Sequence, residues 1–446
     1  MTSSTSSSPT TTSLIVKVIH QHAVLTPIQV DSYRVEHSFY SSKFAEQCIS
    51  SDGDGGGGCH VPRCLSCGEI TDGDGGSGSS SGGPRKRNKK NKKNKKTKKN
   101  KKNAGGGGGG GGVGDVDDSL PVIGSKTRFY SVLTDLTRTH PCQAVDCTLQ
   151  QAIAALTWMA HFHATFAGTT SSSATSTSGR AGRDGRDHGR ELRGLWSCGT
   201  YWTLERKRDM LPSMERTYEL EVRKRLRKEH DETTMSSGVL LLGKRLKNAA
   251  EAIHQRLQPN HLKNNGSWYT IVHGDLKGAN IAFSGSEEGK EVEREREREG
   301  GDKVVEAAAY DFQWSGGGLG CQDVAYFMIS AVDPSALLHE EMLLREYYDQ
   351  RLAAVASSAA SAASAASAAG SGSGSRSKSK RMSYLIFRKM YDLAFIDFMR
   401  WLVGYGMWGG PAEKFSLLKT DEILTRMDGG KVCSEEEYMR FVEEYV

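Results

Sequence analysis

Residues 271–283 read IVHGDLKGANIAF. An aspartate, Asp275, stands five positions ahead of an asparagine, Asn280, on a polar loop between two apolar runs. A second aspartate, Asp311, ends the next apolar run, VVEAAAYDFQW (304–314). Transfer of a phosphoryl group from a nucleotide asks a protein for positioning and charge neutralisation more than for covalent chemistry. One carboxylate must orient the attacking hydroxyl and accept its proton, and hard oxygen ligands must hold Mg²⁺ against the phosphates. Asp275 suits the first task, Asn280 and Asp311 the second. The rival reading of the three is a polar turn and a strand-end aspartate that cap a hairpin.

Such groups need strands and helices to hold them. SLIVKVIH (13–20) is rich in β-branched residues and carries Lys17 in its middle. VDSYRVEHSFYSSKFAEQC (30–48) spaces Tyr33, Val35, Phe39, Tyr40 and Phe44 at helical period, with Glu36 among them. TRFYSVLTDL (127–136) reads as a strand running into a turn. TLQQAIAALTWMAHFHATF (148–166) is a helix whose apolar face includes Ile153, Leu156, Ala160, His163 and Phe166, and there His163 reads as a core histidine. GKRLKNAAEAIHQRLQPN (243–260) is a helix ended by Pro259, and 320–332, 337–355 and 383–408 are further helices. The pattern is a β-containing N-terminal part followed by a mostly helical C-terminal part.

The 446 residues include much that is not core material. The stretches 52–58, 73–83, 104–114 and 362–375 have no apolar period and read as flexible insertions. The net charge of +6 resides in one segment, RKRNKKNKKNKKTKKNKK (85–102), whose 13 cations, once removed, leave −7. No aromatic residue interleaves it, so charge alone would draw it to a nucleic acid, an anionic lipid or a nuclear import receptor. A solvated low-complexity insert is the alternative. The nine cysteines are an odd number, no secretory signal is visible and no run approaches a membrane span. A reducing, cytoplasmic setting is expected, or a nuclear one through 85–102. Cys59, His60, Cys64 and Cys67 form a candidate zinc cluster, although its second pair lacks a standard spacing. The competing reading of HVPRCL is a short strand leaving a glycine linker.

HGDLKGAN followed by YDFQW resembles the catalytic loop and metal-binding segment of the choline kinase/aminoglycoside phosphotransferase-like kinases, and within them the ecdysteroid-kinase-like branch. DFQWSGGGLGCQDVAYFM, MAHFHATF and LWSCGTYW (195–202) are similar to further segments of that branch, and IVKV, YRVEHSFY and VPRCL resemble its N-lobe pieces. The resemblance implies an α+β, protein-kinase-like two-lobed fold. The small β-containing N-lobe would occupy 1–136, with a Gly/Lys-rich insert at about 68–125. The larger, mostly helical C-lobe would occupy 137–446, with the catalytic loop at 273–280, the metal segment at 311–323 and flexible inserts at about 167–192, 285–302 and 356–381. It also implies ATP and Mg²⁺ as cofactors and a small-molecule hydroxyl as acceptor. By the same resemblance Asp275 would be the catalytic base, Asn280 and Asp311 the Mg²⁺ ligands, and Lys17, paired with Glu36, the residue on the ATP phosphates. The backbone from Leu133 to Asp135 would meet adenine, and His273 and Asp323 would brace the loop. A helix N-terminal acid is the other reading of Asp323.

One departure from the family pattern stands out. Only about a dozen Ser/Thr-rich residues precede SLIVKV, too few for two strands and a glycine- or serine-containing phosphate loop, so the N-lobe reads as truncated. Three functions follow from the sequence. The first is an ATP-dependent phosphotransferase acting on a small-molecule alcohol. The second is a pseudokinase or scaffold on the same fold. The third is charge-driven nucleic-acid association through 85–102.

Overall fold

The computed structural model describes residues 13–19, 26–50, 59–71, 127–167, 192, 194–229, 236–258, 268–285, 304–368, 382–406 and 411–446. The basic segment 85–102, the glycine runs 52–58 and 104–114 and the charged insert 287–299 lie outside them. Strand β1 (Leu14–Ile19) pairs antiparallel with β3 (Thr127–Thr134), setting Lys17 opposite Ser131. Strand β2 (Cys64–Thr71) covers the other edge of β3, so the order is β1-β3-β2. β2 begins later and runs further than HVPRCL suggests, into residues the sequence reading gives to the insert. The cause is tertiary: Gly68 lies beneath the Tyr130 ring, where an added Cβ would sit 2.8 Å from ring carbon, so this glycine is a packing choice and not a linker.

Helix α1 (Pro27–Ser41) starts at a Thr26/Gln29 capping box with Pro27 in its first turn. It buries Val30, Val35, Phe39 and Tyr40 with Glu36, packs Tyr33 on Phe129 (5.5 Å between ring centroids) and pairs Arg34 with Glu69 of β2 at 3.0 Å. A short helix α2 (Lys43–Ser50) follows.

The helical part is organised around α3 (Leu149–Thr165), capped by Thr148 and Gln151 and buried on nearly every side, from Ala152 through Leu156, Trp158 and Met159 to Phe162. Residues 204–229 are a succession of short helical turns interrupted at Pro212. Then come α4 (Leu242–Arg256), β4 (Tyr269–Val272), β5 (Ile281–Phe283), β6 (Ala307–Ala309), β7 (Gly316–Leu319) and α5 (Gly320–Ser330). The chain closes with α6 (Glu340–Ala368), α7 (Tyr384–Tyr405), α8 (Pro411–Asp428) and α9 (Glu435–Tyr445). β4 pairs with β7 and β5 with β6, both antiparallel. A buried Arg245 on α4 grips Asp428 of α8 through two hydrogen bonds of 2.8 and 2.9 Å. Such a fork survives burial because both charges are hydrogen-bonded.

α6 differs from expectation. The sequence reading assigns 356–381 to a flexible insert, yet the helix continues to Ala368. Its SSAASAASAASA tract needs no apolar face, because alanine has the highest intrinsic helix preference and α6 is already nucleated by its packed N-terminal half. No helix among the described residues is long and apolar enough to cross a membrane.

Candidate active site

β4 delivers the chain to His273, Gly274 and Asp275. Gly274 has φ +82°, and a Cβ there would lie 2.2 Å from the Trp314 carbonyl oxygen, so only glycine fits. The loop ends in a 3₁₀ turn, Gly278–Asn280, directly ahead of β5. The β5–β6 ladder sets Ile281 opposite Ala309, and the Tyr310 N–H donates to the Asn280 carbonyl at 3.1 Å. Asp311 therefore emerges beside Asn280. Among the described residues two non-glycine residues have positive φ, Asp311 (+68°) and Thr200 (+73°), and both belong to this site. Aspartate tolerates that region better than most residues, but a β-branched threonine there is strained, and such strain gathers at functional sites.

The N-terminal lobe supplies a cation from 294 residues away in sequence. Lys17 Nζ donates to both Glu36 oxygens at 3.0 and 2.8 Å and to Asp311 Oδ1 at 3.0 Å. Burial works to lower the Lys17 value, yet Glu36 and Asp311 prevail and hold it above the ordinary lysine range. Glu36 itself is buried, which pushes its carboxyl up against the pull of Lys17.

Asp275 is held from both sides. Its Oδ1 accepts from the Tyr326 hydroxyl at 2.7 Å, and its Oδ2 accepts from Lys277 Nζ at 3.0 Å and from Asn280 Nδ2 at 3.2 Å. Burial and the Asp275 charge keep the Tyr326 phenol protonated well past its usual range, so it remains a donor. Each carboxylate oxygen has more than one acceptor site, so Asp275 can still take a proton. Asn280 also donates to the Asp275 carbonyl at 2.8 Å, which commits its amide NH₂ and leaves its Oδ1 as an oxygen ligand. A carboxamide and a carboxylate oxygen on one ladder end fit Mg²⁺, a hard cation that takes oxygen ligands.

Beneath the loop lies Asp323, whose carboxylate faces backbone N–H groups of the loop as well as a side chain. Fully buried in the first turn of α5, it accepts the backbone N–H groups of His273 (2.6 Å) and Gly274 (3.0 Å) and the Nε2–H of His163 (3.1 Å). The Nδ1 of His163 is then free to accept from the Tyr347 hydroxyl at 2.8 Å, which makes His163 the core histidine expected. His273 donates Nε2–H to the Tyr310 carbonyl at 3.0 Å and accepts the Asp275 N–H at Nδ1 (3.3 Å). Burial pushes both imidazoles below the ordinary histidine value, so both are neutral. Phe312, next to Asp311, stacks on Phe39 of α1 with centroids 3.8 Å apart and lies 4.6 Å from the His273 ring, joining the two lobes.

Leu133 is buried in β3 between Ile15 and Cys64. Asp135 just beyond is solvent-facing. Its carboxylate accepts from the Thr137 hydroxyl and N–H (2.7 and 2.9 Å), which hold it below the usual carboxylate range, and its own N–H donates to Ser13. This side chain builds the turn after β3. The candidate zinc cluster is not assembled. Cys59 Sγ turns to the Cys48 carbonyl and Cys67 Sγ to that of His37, while His60 faces His140 and Glu306. Cys64 and Cys67 stay side by side across the bulge between Cys64 and Ser66, while Cys59 and His60, ahead of β2, turn away from that pair.

Some participants were not singled out from sequence. Lys277 lies two positions beyond Asp275, a signal that was available. Tyr326 is one helical turn after Asp323, where it reaches the same loop. Tyr201 donates to the Tyr326 hydroxyl (3.3 Å) and packs on Trp314 and Trp401. Arg206 covers Trp196 and Trp314 and donates to the carbonyls of Cys198 and Thr200 at 2.8 Å, fixing the segment that carries Tyr201.

No curated protein matches the chain. Among solved structures, a microcompartment-associated aminopropanol kinase is similar at 11% identity with a TM-score of 0.38, over 95% of this chain and 88% of that one. Residues 204–359, which contain the Asp275 loop, both short strand pairs and Asp323, match the ecdysteroid kinase-like family, the branch that the sequence motifs resemble.

Proposed function

We propose that the protein is an ATP-dependent phosphotransferase that phosphorylates a hydroxyl of a small molecule. The observation that carries this is the convergence of Lys17 and Glu36 with Asp311, beside the Asp275–Asn280 loop, from opposite ends of the sequence. In this reading Lys17 holds the α- and β-phosphates of ATP. Asn280 and Asp311 hold Mg²⁺, which when bound neutralises phosphate charge. Asp275 orients the acceptor hydroxyl. The alcohol oxygen bonds to the γ-phosphorus as the bond to the β,γ-bridging oxygen breaks, the alcohol proton passes to Asp275, and ADP departs. Tyr326 and Lys277 fix the carboxylate orientation, and His273 and Asp323 position the loop. In this reading the backbone of Leu133 to Asp135 would meet adenine.

The acceptor would approach past the half-exposed Tyr201 and Trp314, with Tyr201 packing on the buried Tyr326 and Trp401 and Tyr326 bonding to Asp275. That supports an alcohol with a substantial apolar body over a small polyol. A scaffold without catalysis is the second reading. It is favoured by β1, an edge strand whose Leu14, Ile15, Val16 and Val18 are exposed among the described residues around Lys17.

The deciding experiment is calorimetric ATP binding with and without Mg²⁺, comparing the protein with Asp311→Ala. Binding that requires both the ion and Asp311 supports the kinase and opens a screen of apolar alcohols. Absence of binding in both proteins leaves the scaffold.

A further inference from the structure

A second constellation lies away from the Asp275 loop. His60, His140 and Glu306 each bring one ligand atom to a common point, and these atoms all lie within 4.8 Å of one another. Each comes from a pinned stretch of backbone. His60 bridges to Ala308, and its carbonyl accepts from Trp158 Nε1 at 2.9 Å and from the Ala309 N–H at 3.2 Å. The His140 N–H closes the turn after β3 by donating to Leu136 at 2.7 Å. At the outer end of the β5–β6 pair the Glu306 carbonyl accepts from the Ser284 N–H at 2.9 Å, and the Glu306 N–H donates to the Ser284 hydroxyl oxygen at 2.8 Å.

The protonation of His140 can be read from its neighbours. The Thr139 hydroxyl donates to the Leu136 carbonyl (3.3 Å), so its oxygen is the acceptor for His140 Nδ1–H at 2.9 Å. That leaves the lone pair on Nε2. His140 is 5% exposed, and this Nε2 is buried with no hydrogen-bond partner. An imidazole fixed by a hydrogen bond at one nitrogen and bare at the other is how a metal-ligating histidine is presented. The His60 ring is 5.3 Å away, and its Nε2 is 3.9 Å from Glu306. Ligands on a tetrahedral Zn²⁺ at bonds of about 2.0–2.1 Å stand roughly 3.3 Å apart. Small rotations of the exposed Glu306 and half-exposed His60 side chains close that gap.

We propose that His60, His140 and Glu306 form a divalent transition-metal site suited to Zn²⁺, completed by solvent on the side where Glu306 is exposed. Two imidazoles and one carboxylate select Zn²⁺ over the oxygen-seeking Mg²⁺ and Ca²⁺. The metal ties together three elements that converge on the nucleotide cleft. They are the segment entering β2, the turn leaving β3, and the strand pair whose opposite end carries Asn280 and Asp311. Such a clamp would set one lobe against the other.

The test uses the tag-free full chain, freed of metal by a chelator and titrated with Co²⁺ and Zn²⁺ in the absence of nucleotide. One equivalent of metal is expected, with a Co²⁺ ligand-field spectrum that lacks a thiolate charge-transfer band, and with a rise in melting temperature that Mg²⁺ does not reproduce. Glu306→Ala and His60→Ala should each weaken Zn²⁺ binding roughly tenfold or more, and Thr139→Val about tenfold through its hold on His140. The double variant Cys64→Ser/Cys67→Ser and Asp311→Ala should leave it unchanged. His140→Ala should abolish binding, and if that variant does not fold, the solvent-facing Glu306 and His60 variants decide. The proposal is overturned if no metal binds, if the Co²⁺ spectrum carries a thiolate band removed by the cysteine variant, or if Zn²⁺ affinity is the same in Glu306→Ala and His60→Ala as in the parent.

Discussion

Replacing Asp323 by alanine should damage stability and the candidate site together. In the folded protein this carboxylate accepts from His273 N–H, Gly274 N–H and His163 Nε2–H. Alanine strips the acceptor from three donors that remain buried. Each such donor costs roughly 1–3 kcal/mol, giving a ceiling of about 9 kcal/mol. Water entering the space recovers part of that, so about 3–5 kcal/mol is the expected net loss, the range for breaking a buried charged interaction. Melting shifts of roughly 2–4 °C per kcal/mol in a domain of this size convert the loss into about 6–20 °C. Asp323→Asn keeps one acceptor oxygen and should lose less than Asp323→Ala. The assay is urea and thermal unfolding at pH 7 by tryptophan fluorescence, with alcohol-dependent ATP turnover beside it. Turnover should fall by about a hundredfold even below the unfolding temperature, since a shift of ~1 Å in the loop is enough. A melting temperature for Asp323→Ala within about 2 °C of the parent would refute the account of Asp323 as the loop's acceptor.

Other consequences are equally open to measurement. Lys17→Met should remove Mg²⁺-dependent ATP binding, and a double-mutant cycle with Glu36→Gln should show a coupling of about 0.5–3 kcal/mol; additive stabilities would contradict the ion pair. Gly274→Ala should abolish turnover and cost more than the ~1 kcal/mol of an ordinary glycine replacement, because its Cβ meets the Trp314 carbonyl at 2.2 Å; a Gly274→Ala protein with parental activity would mean that the loop conformation is wrong. The pH dependence follows from His163 and His273, both pushed below 6.5 by burial. The unfolded chain binds their protons first, so stability is full above pH 6.5 and falls as the pH drops below it, by up to about 1.4 kcal/mol per unit for each ring. His140 and His161 are depressed as well and add the same sign. Urea midpoints at pH 7, 6 and 5 measure this, and a flat profile would exclude neutral buried rings.

The parts of the candidate site that could be read from sequence are those set by local spacing. Asp275 and Asn280 share one loop, and the apolar run to Asp311 announces the strand that returns it. Lys17 and Glu36 were legible only through their likeness to a family, because nothing in SLIVKVIH says which of two strand faces turns inward. What was hidden depends on long-range contacts. β2 extends through Gly68 because Tyr130 lies over it, and no local signal in CGEIT records that ring. The Ala/Ser tract of α6 lacks an apolar period and so looked unstructured, although its intrinsic helix preference was visible in composition. Residues His60, His140 and Glu306 are separated by 80 and 166 positions, so their meeting is a property of the fold alone.

Charge explains why this arrangement should depend on a divalent ion. Glu36, Asp275, Asp311 and Asp323 place four carboxylates around the loop, and Lys17 and Lys277 place two ammonium groups there. His163 and His273 are neutral and contribute no cation. With the carboxylates ionised, the set carries a net charge of −2 before any phosphate arrives. ATP alone adds to that excess and must also draw Lys17 away from Asp311. At partly buried separations such repulsion is worth several kcal/mol, which outweighs what one lysine returns. In the proposed reading, ATP arriving with Mg²⁺ would reverse the balance, since Asn280 and Asp311 would hold the ion and Lys17 the phosphates. Binding of ATP in EDTA should therefore be weaker than binding of its Mg²⁺ complex by at least tenfold, and Asp311→Asn, which removes one negative charge, should narrow that gap.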